Sequence, residues 1–268
     1  MKLKGQAGVL FFLVLCSATA QTLTSSAPAY EGFGYLLVLF LHQVLFVFWL
    51  GPDIGVYMWS TKVVNPALSA SQRLAAGRIM QVIGILPLVC MSLMLTVGGI
   101  LTDLRGIDHP WWQMAAIWLL GPVWLIFTLL IYATTGTQRG ARLAQLDIWF
   151  RWLIIVSVPL SVVYSLSTGR LAGFPWVTAK LLLFAAVVYF GLQMRQRLLP
   201  FTTGLDRLAV QGSSPELDAV FKKSISRARV FMFASWAALA LAAALGMAQP
   251  GTAGNGSGSP TTISNGPN

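Results

Sequence analysis

The sequence predicts an all-α fold: a polytopic membrane bundle of six transmembrane helices behind a cleavable signal peptide. Three observations carry that prediction. Of 268 residues, 56% are hydrophobic and only 10% are charged, whereas soluble globular proteins carry roughly 25% charged residues. Six apolar runs, at 35–58, 80–101, 111–133, 150–168, 174–194 and 229–248, approach the ~20 residues that a helix needs to cross a bilayer. The basic residues fall on alternate connections between those runs, as a single orientation in a membrane requires.

The elements follow in order. Lys2 and Lys4, the apolar stretch Val9 to Leu15, and Ala18-Thr19-Ala20 before Gln21 have the layout of a secretory signal peptide spanning 1–20, with cleavage after Ala20. Each apolar run must then be helical, because an isolated strand in lipid leaves its backbone groups unpaired. If residue 21 starts outside the cytoplasm, the inner connections hold Lys62, Arg73, Arg78, Arg139, Arg142, Arg151, Arg195, Arg197, Arg207, Lys222, Lys223, Arg227 and Arg229, and the outer ones hold Arg105 and Arg170. That bias places both ends of the 21–248 domain outside.

The inner connection 195–228 is expected to be a loop with one short helix, opened by Ser214 as cap and Pro215 in the first turn. Leu217, Val220, Phe221 and Ile225, interspersed with Lys222, Lys223 and Arg227, suit either the membrane surface or a solvated loop helix. The tail, 249–268, has no charge and little apolar bulk and is expected to be disordered.

Composition also excludes function classes. The formal charge of +10 is dispersed between apolar runs rather than gathered on a recognition module, so nucleic acid is not a partner; the lipid bilayer is. No phosphate-binding glycine loop is present, and no motif sets a nucleophile beside a histidine and a carboxylate. With Cys16 in the signal peptide, Cys90 is left alone, so no internal disulfide forms.

Chemistry is expected from ionisable groups at membrane depth, each costing about 2.5–3.5 kcal/mol on insertion scales. His42 and Lys180 are the deepest; Asp53 and Arg151 are expected near enough to the inner surface to be wetted. Residues 7 and 11 apart share a helix face, so His42, Trp49 and Asp53 form a stripe that should face protein. His42 and Lys180 lie on two helices that enter from the same side, each roughly 10 Å below the outer boundary. A neutral histidine can ligate a metal or haem iron, and a lysine can hold a carboxylate or propionate. The bland readings are a core histidine bonded to a carbonyl or serine, and a lysine snorkelling to the interface. Cys90, Met91 and Met94 offer soft donors or ordinary core packing, and His109 is expected at the surface.

At these residues the chain resembles the superfamily of bacterial membrane proteins that contains CopD-type copper-resistance domains and HemJ-type protoporphyrinogen oxidases. The resemblance rests on His42, Trp49 and Gly51, then Arg151, Pro159 and Gly169, then PWVTAKLLL ending in VYFG, under half of the chain. It implies an inner-membrane location with periplasmic termini, and haem b or a related porphyrin at His42, Trp49 and Lys180, with His42 as metal ligand, in redox work with a partner protein. A homo-oligomer is compatible with it. The chain departs from the HemJ-type pattern at Phe190, where that family commonly has histidine, and in RVFMFAS from Arg229, which lacks an Asn-Glu-Pro element. The CopD-type relatives make copper transport the alternative, although no His/Met-rich outer segment is present, and a ligand-free accessory subunit is the third reading.

Overall fold

The computed structural model describes residues 32–251; the expected signal peptide and most of the expected tail lie outside them. Among the described residues there are seven helices and no strand. They are α1 (Phe33–Val63), α2 (Ala70–Ile83), α3 (Ile85–Asp103), α4 (Trp111–Ala133), α5 (Gln138–Ser167), α6 (Pro175–Gln211) and α7 (Pro215–Ala248). With α2 and α3 read as one bent rod, six helices are long and apolar enough to cross a membrane, the architecture of a multi-pass membrane protein.

Local chemistry sets the helix ends. Ser69 opens α2 with a capping box, its hydroxyl accepting from the Gln72 N–H and its own N–H donating to Gln72 Oε1 at 3.0 Å. Ser214 caps α7 by accepting from the Leu217 N–H at 3.2 Å, with Pro215 in the first turn, as the sequence anticipates. The expected single span 80–101 is interrupted at Gly84. Pro87 lacks the N–H that would bond the Ile83 carbonyl, and its ring crowds that carbonyl.

The segment expected to be a loop, 195–228, is helical except at 212–214. At 37 residues α6 runs about 55 Å and at 34 residues α7 runs about 51 Å, each well beyond a hydrocarbon core of about 30 Å. They form a continuous antiparallel hairpin turned at Gly212, whose φ of +77° suits glycine. The protruding half packs with α2 and the end of α1 into a lobe whose core holds Val63, Met80, Phe201, Leu205, Leu217, Phe221 and Ile225. The apolar face of the 217–225 stretch is therefore spent on helix packing rather than on a membrane surface.

One buried side chain ties this lobe together. Arg73, with no exposed side-chain surface, donates from Nε to the Val63 carbonyl at 2.7 Å, from one terminal nitrogen to Ser213 Oγ at 3.0 Å, and from the other to Asp218 Oδ1 at 2.6 Å. Its guanidinium lies 5.2 Å from the Phe221 ring centre. It thus closes the C-terminus of α1, where free carbonyls attract a cation, and joins it to the start of α7.

The opposite end of the bundle gathers the start of α1, the end of α3, the starts of α4 and α6, and the ends of α5 and α7. It is called the terminal end below, and the other the lobe end. A second core, around Trp49, Cys90, Met91, Trp124, Ile154, Val188 and Leu239, fills the middle. Outward faces stay apolar: on α1 alone Phe40, Phe48 and Met58 are exposed at 60%, 49% and 62%, the pattern of a surface built against lipid.

Candidate functional site

The site at the terminal end begins with one face of α1. Tyr35, His42, Trp49 and Asp53 follow one another at helical spacings, and that face is turned inward: Trp49 and Asp53 are buried, and Nδ1 of half-buried His42 is enclosed with no hydrogen-bond partner. Across from it, α3 presents Gly98. A Cβ there would stand 3.4 Å from His42 Cε1 and 3.7 Å from Nδ1, so the missing side chain leaves the imidazole its space.

Lys180, one turn and a half into α6, completes the approach. Its charge acts on His42, so the two side chains stand within electrostatic reach of each other at this end of the bundle. Its ammonium occupies the room left by Gly246 of α7, where a Cβ would come within 2.8 Å of Nζ. The backbones of α1 and α6 are not in close approach along their length; α1 packs mainly on α2 and α3, and α6 on α7 and α5. The gap between them is bridged by side chains, Trp49 edge-on to Phe184 at 6.3 Å being one bridge. Trp49 sits two helical turns from His42, in the central core.

Arg105 and Trp176 roof this seam. The Arg105 guanidinium donates twice to Tyr35 Oη, at 2.9 and 2.6 Å, and lies 5.4 Å from the centre of the Trp176 ring. Lys180 Nζ lies 5.7 Å from the same ring, and Trp176 Nε1 is buried with no partner. Two cations thus flank one indole while, among the described residues, no carboxylate lies within ion-pair distance of either. The arrangement is a donor-rich, positively charged cluster beside an enclosed, unbonded imidazole nitrogen, and its chemistry favours an anionic ligand.

His109, expected as a surface residue, is half-buried in a separate network at the same end. Arg170, which can only donate, points one terminal nitrogen at His109 Nδ1 at 3.1 Å and the other at Gln113 Oε1 at 2.9 Å. Nδ1 is therefore the acceptor and Nε2 carries the proton toward Thr102 Oγ1 at 3.0 Å. Gln113 in turn donates to Ser161. Burial, chiefly, holds the His109 pKa below its ordinary 6.5. The network clamps the α3–α4 connection to the α5–α6 connection and leaves His109 no free ring nitrogen for a ligand.

Two expectations about depth are corrected. Asp53 and Arg151 are not wetted: they are 8% and 4% exposed. Asp53 Oδ2 accepts from Trp236 Nε1 at 2.7 Å. Arg151 donates to Asp147 Oδ2 at 2.8 Å, and Arg195 donates to the same oxygen at 2.6 Å. Trp124 Nε1 donates to the other carboxylate oxygen at 3.0 Å. Arg151 is enclosed because α5 starts before, and α6 runs beyond, the apolar stretches, and Asp53 is covered by Trp236 of α7.

Cys90, Met91 and Met94 are core residues, 2%, 3% and 8% exposed. Among the described residues no three His, Cys, Asp or Glu side chains gather where they could share a metal ion. Sequence reasoning missed Tyr35, Arg105 and Trp176 as site residues, and Gly98 and Gly246 as the spaces that admit His42 and Lys180. Arg105 was visible as one of two basic residues in the outer connections; the glycines gave no signal, because only a neighbouring helix makes their lack of a side chain matter. No family model, no curated protein and no solved structure matches the chain.

Proposed function

We propose that this multi-pass membrane protein binds haem b or a related porphyrin at its terminal end for redox or electron-transfer work, in the manner that its resemblance to CopD-type and HemJ-type proteins implies. The observation that carries the reading is an enclosed, unpartnered His42 nitrogen beside a lysine that has no acidic partner among the described residues. A buried polar group without a partner costs about 1–3 kcal/mol, and an uncompensated cation at membrane depth costs more. A ligand with a metal centre and pendant carboxylates relieves both.

In this reading His42, its ring seated in the room that Gly98 leaves, would offer an imidazole nitrogen to the metal, and Lys180 and Arg105 would hold carboxylates. Trp176 positions both cations. Haem, when bound, supplies one-electron chemistry, and a redox partner protein takes or gives the electron. The terminal end faces the periplasm of a bacterial inner membrane, because the basic residues concentrate at the lobe end.

Purification in mild detergent tests this. The expected result is a Soret band that is lost in His42→Ala and weakened in Lys180→Met with helix content unchanged. A colourless protein that retains stoichiometric copper would support the copper-handling alternative, and a protein with neither would support an accessory role. Either of the last two results overturns the porphyrin reading.

A further inference from the structure

At the lobe end, an open groove of about 410 Å³ is lined by Arg197 of α6 and by Arg227, Val230 and Phe231 of α7. The three α7 residues share one helix face by their spacing. Going from the apolar stretches toward the lobe, α6 has no charge between Lys180 and Arg195, and α7 meets its first at Arg229. The groove therefore sits at the level where hydrocarbon gives way to headgroups. Val230 is 67% exposed, and below the groove α7 turns Leu241 outward on the same face, exposed at 51%.

Arg197 is fixed in place. Its guanidinium lies 4.1 Å from the centre of the Phe231 ring, and one terminal nitrogen donates to the Gln193 carbonyl at 3.0 Å and to Gln193 Oε1 at 2.6 Å. Its remaining N–H groups have no acceptor among the described residues. Arg227 is exposed and no carboxylate lines the groove. Two guanidinia with spare donors, held above an apolar, outward-facing helix surface, match a phosphodiester headgroup whose acyl chains run down that surface.

We propose that this groove is a binding site for an anionic phospholipid of the leaflet at the lobe end. The site is distinct from the His42–Lys180 cluster, which lies at the other end of the bundle. Held there, the lipid's single negative charge offsets part of the charge of the two arginines, and the lipid pins the α6–α7 hairpin at its crossing of the boundary.

The test uses the full-length protein in phosphatidylcholine nanodiscs doped with phosphatidylglycerol, reading by native mass spectrometry which lipid remains bound on release. Retention of phosphatidylglycerol above its share of the bilayer is expected, falling about fivefold in each of Arg197→Gln and Arg227→Gln, the preference that one arginine near a membrane surface confers. The variant carrying both Lys222→Gln and Lys223→Gln removes twice the charge of either arginine variant from exposed positions in the lobe and should retain the lipid. The proposal fails if retention merely follows bilayer composition, or if the arginine variants behave as wild type. It also fails if the lysine variant loses as much, which would mean diffuse attraction, or if inorganic phosphate alone displaces the lipid, which would assign the groove to free phosphate. Circular dichroism of each variant separates a lost site from a lost fold.

Discussion

His109 shows how one side chain in a short connection sets a pH response. Burial is the main cost of protonating it, and its Nδ1 faces the Arg170 guanidinium, which a second proton would meet donor to donor. The Gln113 oxygen and, less strongly, the exposed Asp103 and Asp108 pull the other way without overcoming burial. With the folded pKa below 6.5, the unfolded chain binds the extra proton first as pH falls, so stability is full above 6.5 and is lost below it. Thermal unfolding in detergent is expected to shift downward as pH drops through that range, and His109→Gln to flatten the dependence. An unchanged slope in the variant would place the response elsewhere.

The residue scale is also where the sequence was most informative and most incomplete. His42 and Lys180 stood out because an ionisable group inside an apolar run is costly whatever the fold. Trp176 did not stand out, because a tryptophan near a span boundary is commonplace; only its unbonded Nε1 between two cations marks it.

Among elements, the α3–α4 pair depends on closeness that only small residues permit. A Cβ on Gly121 would come 2.9 Å from the Ser92 carbonyl oxygen and 3.0 Å from Thr96 Cβ, and Thr96 Oγ1 already donates across the pair to the Ile117 carbonyl at 2.6 Å. The first of these neighbours is backbone and cannot swing aside. Gly121→Ala is expected to cost about 1–3 kcal/mol, read as a fall in the unfolding midpoint. Gly55→Ala serves as the comparison: its nearest neighbour is Ile83 Cγ2 at 3.6 Å, ordinary contact, and it should be tolerated.

The elements themselves were legible in unequal measure. The cap at Ser214 and Pro215 follows from backbone chemistry that neighbouring residues supply, and it stands where the sequence put it. The length of α6 and α7 does not follow in that way. The charges after Arg195 read as a polar loop, yet Phe201, Leu205 and Leu208 on one helix meet Leu217, Phe221 and Ile225 on the other, and mutual burial extends both.

For the whole molecule, the concentration of Lys and Arg at the lobe end sets the expected orientation. A reporter fused after Asn268 should report an extracytoplasmic location, and a cysteine placed at Ser213 should resist a membrane-impermeant thiol reagent until the cell is opened. Cys90, 2% exposed, will not confuse that assay. Cytoplasmic activity of the Asn268 fusion would contradict the six-span orientation.

What the sequence determined by itself is the solvent of the fold: apolar runs of bilayer length, helical because lipid offers no other partner to the backbone. It also marked His42 and Lys180, since the cost of an ionisable group inside an apolar run is local. Which cations go unpaired, which glycines make room for a neighbour's side chain and how far the hairpin reaches beyond the membrane were decided only by tertiary structure. Each is a property of what a neighbouring helix brings within a few ångströms, and spacing along one helix carries no information about the next.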